Sequence, residues 1–171
     1  EEAESSAGWI RELENEHLPE TEEYGISSFV FRTKRPFHPE RFLNYINTNF
    51  PQNIIRSKGL FWLGSRPDQA LVWSSAGGSI KTEPAGVWWA SMPANERFDY
   101  VPFVENQALI EKDWDKQFGD RKNELVFIGI HIDEEIIRPK LNECLMTDDE
   151  LKTSNWKTPR QDQWPIPEMA Y

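Results

Sequence analysis

Leu60-Phe61-Trp62-Leu63 is an unbroken apolar run with a glycine on either side, Gly59 and Gly64. Pro67-Asp68-Gln69-Ala70 then carries the chain into a second apolar run, Leu71-Val72-Trp73. Short apolar runs of this kind, bounded by turn-forming residues, read as two buried antiparallel strands, near 54–66 and 70–76. Arg56, Lys58 and Arg66 at the strand ends concentrate positive charge in a chain whose formal net charge is −10. Any fold for this chain has to bury the hairpin.

The flanking elements follow from periodicity. Gly25 to Thr33 reads as a strand centred on Phe29-Val30-Phe31. Pro39 suits the first helical position and Glu40 the positive end of the helix dipole. Phe42, Leu43, Ile46 and Phe50 then form an apolar stripe that Pro51 stops. Gly77-Gly78 reads as a bulge or sharp bend within the second hairpin strand, which resumes at Ser79-Ile80-Lys81-Thr82. Pro84 to Phe103 is a long irregular stretch, expected to be packed down by its own aromatic residues. Residues 105–118 read as a helix with Leu109, Ile110, Trp114 and Phe118 on one side and Gly119 just past its end.

Glu124 to Ile130, apolar on both parities, is expected to be a central strand. Asp133 can cap a helix carrying Ile136, Ile137, Leu141, Cys144 and Leu145, with Pro139 disturbing its first turn. Thr147-Asp148-Asp149-Glu150 is a capping-box pattern for one more short helix. The order predicts an α+β fold of the ferredoxin-like, split βαβ kind. That means a four-stranded antiparallel sheet with helices on one face, plus an extra C-terminal helix. The expected organisation is an acidic lead-in over 1–24, with a helix around Trp9, Ile10, Leu13 and His17. The domain follows over 25–152, and an extended tail with Trp156 and Trp164 over 153–171.

Composition excludes several classes of function. The acidic balance argues against a nucleic-acid footprint and against an anionic membrane surface. No run approaches the roughly 18 apolar residues of a membrane span. The acidic start, Glu1-Glu2-Ala3-Glu4, is the reverse of a signal peptide. Cys144 is the only cysteine, so no disulfide forms within the chain, which fits a cytoplasmic protein.

Catalytic motifs are missing. The chain has no G-x-x-x-x-G-K-[ST], no G-x-G-x-x-G and no G-x-S-x-G. His17, His38, His131 and Cys144 are the candidate metal ligands, without the paired spacing that zinc sites usually show. A small zinc site using His131 and Cys144 is the alternative reading. It requires the fold to bring the end of the central strand against the following helix.

Several blocks together resemble the C-terminal domain of CobW-type proteins. They are Glu22-Glu23-Tyr24-Gly25-Ile26, Arg35-Pro36-Phe37-His38-Pro39-Glu40-Arg41, Arg56-Ser57-Lys58-Gly59-Leu60-Phe61-Trp62 and Gly119-Asp120-Arg121 with Glu124-Leu125-Val126-Phe127-Ile128-Gly129. The resemblance runs from about Gly8 to Leu151, and Ser75-Ala76-Gly77-Gly78 is similar to the subgroup associated with zinc homeostasis. It implies a non-catalytic recognition or regulatory domain of a GTP-dependent metallochaperone, excised from its GTPase domain. The nucleotide site and the C-x-C-C metal motif belong to that other domain, so GTP, magnesium and zinc are expected there, and no catalytic, cofactor or metal residue carries over here. The implied partners are the N-terminal GTPase domain and a client metalloprotein, with neither nucleic acid nor membrane. Charge contrast and loop length make Arg56, Lys58, Trp62, Arg66, Trp88 and Trp89 the expected contact residues.

Overall fold

A computed structural model describes residues 24–166, so the lead-in helix around Trp9 to His17 lies outside the described residues. The described chain runs β1 (Ile26–Thr33), α1 (Pro39–Thr48), β2 (Ile54–Phe61), β3 (Gln69–Ala76), β4 (Ser79–Val87), α2 (Val101–Lys112), β5 (Asn123–Ile130), α3 (Glu134–Glu143) and α4 (Asp148–Thr153). Two short 3-10 turns, Trp89–Ser91 and Glu96–Asp99, lie between β4 and α2. The five strands form one antiparallel sheet in the order β1-β5-β2-β3-β4. No helix among the described residues is long and apolar enough to cross a membrane.

The fold is α+β with an antiparallel sheet, but the sheet has five strands where four were expected. The cause is Gly77-Gly78. Both residues have positive φ, 56° and 84°, the conformation that a two-residue hairpin turn of the primed type demands. The pair reverses the chain instead of bulging it, so Ser79 lies opposite Ala76 and β4 becomes a strand of its own. β5, the last strand in the chain, is inserted between β1 and β2. Gly59 meets it there with φ 154°, and a Cβ at this position would stand 1.9 Å from the Glu124 carbonyl oxygen. Only glycine allows β2 to approach β5 so closely.

Period two decides which side chains share a face. Phe29 pairs with Phe127, Phe31 with Leu125, Gly59 with Trp73 and Phe61 with Leu71. Phe42 and Tyr45 of α1 and Ile137 and Leu141 of α3 close over this face, with Cys144, Trp164 and Ile166. Fully burying one such large side chain stabilises by about 1.5–3 kcal/mol. Two polar side chains also enter this core, and both are satisfied. The Trp73 indole N–H donates to Ser57 Oγ at 2.6 Å, and Ser57 and Ser75 share a hydrogen bond.

A second cluster consists of Trp62, Ala70, Trp88, Phe118, Met146, Leu151 and Trp156. Trp62 has the parity of Leu60 and Ala70 that of Val72, so this cluster lies at one end of the opposite face. The helices are therefore not confined to one face of the sheet: α4 contributes Leu151 here. α2 also differs from the 105–118 helix that was expected. Pro102 sits in its first turn, where a missing N–H costs nothing. Beyond it, the Asp115 carboxylate accepts the N–H groups of Gln117 and Phe118 and closes a turn. Phe103 is buried, while Leu109, expected inside, is 63% exposed. α3 is continuous through Pro139, capped as expected by Asp133.

The tail is more than a surface strap. Asp162 accepts from Arg66 through both carboxylate oxygens at 2.8 Å, from Ser65 Oγ and from the Trp164 N–H. Those bonds seat Trp164 on Phe42 and Phe61 and place its indole N–H on the Pro39 carbonyl.

Candidate functional site

Alternation puts Arg56 and Lys58 on the same side of β2. Arg56 lies opposite Ala76 and Lys58 opposite Ser74, and β4 continues these rows with Ser79 and Lys81. Lys58, Ser74 and Lys81 thus cross three strands in one row, with Arg56, Ala76 and Ser79 in the next. Small side chains flanked by long basic ones leave a groove of about 310 Å³, with these six residues in its lining. Arg56 and Lys81 are exposed and Lys58 half-buried. Lys81 also pairs with Glu83 at 2.7 Å, a solvent-facing pair of the sort that contributes little.

A second accessible surface lies on α2. Its inner side is held by Phe103, whose ring is 5.2 Å from that of Trp89 and 5.4 Å from that of Phe98. Its outer side presents Val101, Val104 and Leu109, which Phe98 and Tyr100 extend, all between 48% and 64% exposed. The sequence reading missed this patch. The signal was present, since Val101, Val104 and Ala108 recur at helical spacing on the side away from Phe103. It was hidden because the helix was expected to start four residues later.

Three of the six expected contact residues are not available for contact. Trp62 is completely buried, with its indole N–H bonded to the Lys34 carbonyl at 3.0 Å. Trp88 is 6% exposed in the same cluster. The Arg66 side chain is 10% exposed and committed to Asp162. Charge contrast in the hairpin and the length of the loop point to these residues, whereas burial depends on which distant segment covers them. Arg56, Lys58 and the half-buried Trp89 remain at the surface.

The family model of the cobalamin synthesis protein cobW C-terminal domain matches residues 26–145. This chain belongs to the cobW C-terminal domain family. It is 39% identical over 156 residues to the zinc-regulated GTPase metalloprotein activator 1 of Dictyostelium discoideum, covering 88% of this chain and 32% of that protein. It is 33% identical over 134 residues to a zinc chaperone of Mycobacterium tuberculosis, covering 78% of this chain and 33% of that one. The chain thus spans about a third of the length of the curated relatives it matches. The crystal structure of Zn(II)-bound YjiA GTPase from E. coli overlaps 76% of this chain and 33% of its own, with TM-score 0.46 and 17% identity.

Within this cobW C-terminal domain, the motifs that carry the resemblance do structural work. Asp120 accepts the N–H groups of Trp89 and Ala90 at 2.9 and 2.8 Å, which pins the long loop after β4. Buried Arg121 donates to the carbonyls of Pro67 and Phe118 and to Ser91 Oγ, and its guanidinium lies over the rings of Trp62 and Trp156. Burial lowers the pKa of Arg121, but these acceptors satisfy its donors. His38 caps α1, its Nδ1 accepting the Arg41 N–H.

Of the four candidate metal ligands, His17 lies outside the described residues, and the pair of the alternative zinc reading, His131 and Cys144, is not brought together. His131, just past the end of β5, has φ 50° and lies beside Gly25. Cys144 caps the far end of α3, and ten residues of helix, about 15 Å, stand between them. Cys144 is buried against Arg41 and Lys140 carbonyl oxygens, and burial pushes its thiol up to about 11. No group of three or more metal-ligating side chains occurs among the described residues.

Proposed function

We propose that this cobW C-terminal domain is a non-catalytic recognition module of a GTP-dependent metal chaperone acting in zinc homeostasis. It docks on a GTPase domain of CobW type and helps to present metal to a client protein, in the cytoplasm. GTP, magnesium and zinc are handled by the GTPase domain, not by residues of this chain. The observation that carries the reading is the outer face of α2. Phe98, Tyr100, Val101 and Val104 stand exposed around the start of α2 beside Trp89, with Leu109 further along the helix beyond Glu105. Exposed apolar side chains concentrated in this way mark interaction sites. Membership of the family supports a GTPase domain as the partner, because the curated relatives include a zinc-regulated GTPase metalloprotein activator and extend well beyond this domain.

The test is isothermal titration of this chain with a separately purified GTPase domain of a CobW-type relative, with Val104→Glu and Leu109→Glu as variants. A one-to-one complex that either substitution weakens at least about tenfold is expected, since a charge placed in an apolar contact is strongly disfavoured. Absence of a complex, or a complex insensitive to both variants, contradicts the reading.

A further inference from the structure

The basic groove on β2, β3 and β4 lies on a different part of the surface from the α2 patch, and its shape suggests what it holds. Arg56 and Lys58 are two residues apart on one strand, so their side chains emerge about 6.6–6.8 Å apart along β2. Lys81 stands two strands away from Lys58, about 10 Å across the sheet. Between them the floor is Ser74, Ala76 and Ser79. The channel is therefore about as wide as one extended chain, with two cations along one wall and one on the other. In an extended peptide, side chains at alternate positions repeat with the same 6.6–6.8 Å spacing.

We propose that this groove holds an extended acidic segment of a partner protein, with carboxylates at alternate positions facing Arg56 and Lys58. This rests on the recognition role proposed above and names the chemistry of the segment recognised. Charge complementarity supports it: a cluster of three cations on a chain of net charge −10 favours an anionic partner locally and repels it elsewhere. The planar fork of Arg56 matches a carboxylate in bidentate fashion, and Lys58 and Lys81 add point charges. The hydroxyls of Ser74 and Ser79 can meet peptide amides on the floor. Glu83, on the same face of β4, pairs with Lys81 at 2.7 Å in solvent, so Arg56 and Lys58 carry most of the positive charge of the channel. Nucleic acid is a poorer fit. Phe61, Trp62 and Trp73, the rings along and just beyond β2 and β3, are 0%, 0% and 1% exposed and offer no surface for base stacking.

The experiment is fluorescence anisotropy of the full chain with a labelled heptapeptide alternating glutamate and serine. Its glutamine counterpart, a single-stranded thymidine oligonucleotide and inorganic triphosphate serve as competitors. Saturable binding is expected. It should weaken at least about tenfold between about 0.05 M and 0.5 M salt, as exposed charges are screened. Arg56→Ala combined with Lys81→Ala should weaken it at least about tenfold at unchanged melting temperature, while Lys152→Ala on α4 leaves it intact. Equal binding of the glutamine peptide, indifference to the double substitution, or stronger binding of the oligonucleotide or triphosphate overturns the proposal. None of these results bears on the α2 patch, whose own variants test the docking reading.

Discussion

Arg41 and Glu150, 109 residues apart in the chain, close a two-pronged ion pair at 2.9 and 2.7 Å. Arg41 also donates to the carbonyls of Glu143 and Leu145, and Glu150 accepts the Thr147 N–H as half of a capping box. One guanidinium therefore fastens α1 to the end of α3 and to the start of α4. His38, the cap of α1, lies 3.4 Å from the same carboxylate.

This cluster gives stability two separate pH limbs. Burial, aided by the Arg41 charge, lowers the His38 pKa below 6.5 and outweighs Glu150. Folded His38 thus binds a proton more weakly than the unfolded chain, and stability falls as pH drops through about 6.5. Glu150 is held down at about 2, chiefly by its hydrogen bond from Arg41. Its contribution is complete above about 4.5 and is lost as pH falls towards 2. Urea unfolding across this range should show both limbs. His38→Asn, which keeps a cap acceptor, should remove the upper one, while Glu150→Gln should shrink the lower, to which Asp113, Asp148 and Asp162 still contribute, and steepen the upper, because Glu150 no longer offsets the lowering of His38.

Asp162 is 1% exposed at its side chain and Arg66 10%, so removing one partner strands a buried charge. Asp162→Ala is expected to cost about 3–5 kcal/mol, the range for breaking a buried pair. It should also release Trp164 from its place on Phe42. Denaturant titration followed by tryptophan emission measures both effects, as an earlier midpoint and a red-shifted native baseline. A loss below about 1 kcal/mol would show the pair to be solvent-screened.

The turn at Gly77-Gly78 makes a sharper distinction. Asparagine tolerates positive φ, so Gly77→Asn should leave stability nearly unchanged. A β-branched residue does not, and Gly77→Val should cost about 1–2 kcal/mol. Nothing lies within 4 Å of a Cβ built at Gly77, so any loss reports backbone conformation and not crowding. If residue 77 took negative φ instead, valine would be tolerated.

Much of the architecture could be read locally. The caps at Asp133 and Thr147, the hairpin of β2 and β3 and the central position of β5 each depend on residues close in sequence. The fifth strand was hidden because a Gly-Gly pair permits a bulge or a reversal equally well, and only the partner strand chooses between them. The start of α2 was hidden because Pro102 reads as loop punctuation until the chain before it is seen to be extended.

The site divides along the same line. Charge and alternation put Arg56 and Lys58 side by side without help from tertiary structure, and the acidic background of the chain made them conspicuous. Trp62, Trp88 and Arg66 carry the same local signals and are buried. Their covers come from far along the chain: Phe118 and Trp156 for Trp62, Asp162 for Arg66. The sequence by itself determined which segments are strands and helices, where most of them stop and which family they belong to, because backbone hydrogen bonding and periodicity are short-range. Only the tertiary structure decided which aromatic and basic residues face solvent. Burial is a property of the neighbours that folding brings, and those neighbours lie 50 to 100 residues away, a separation across which local pattern carries no information.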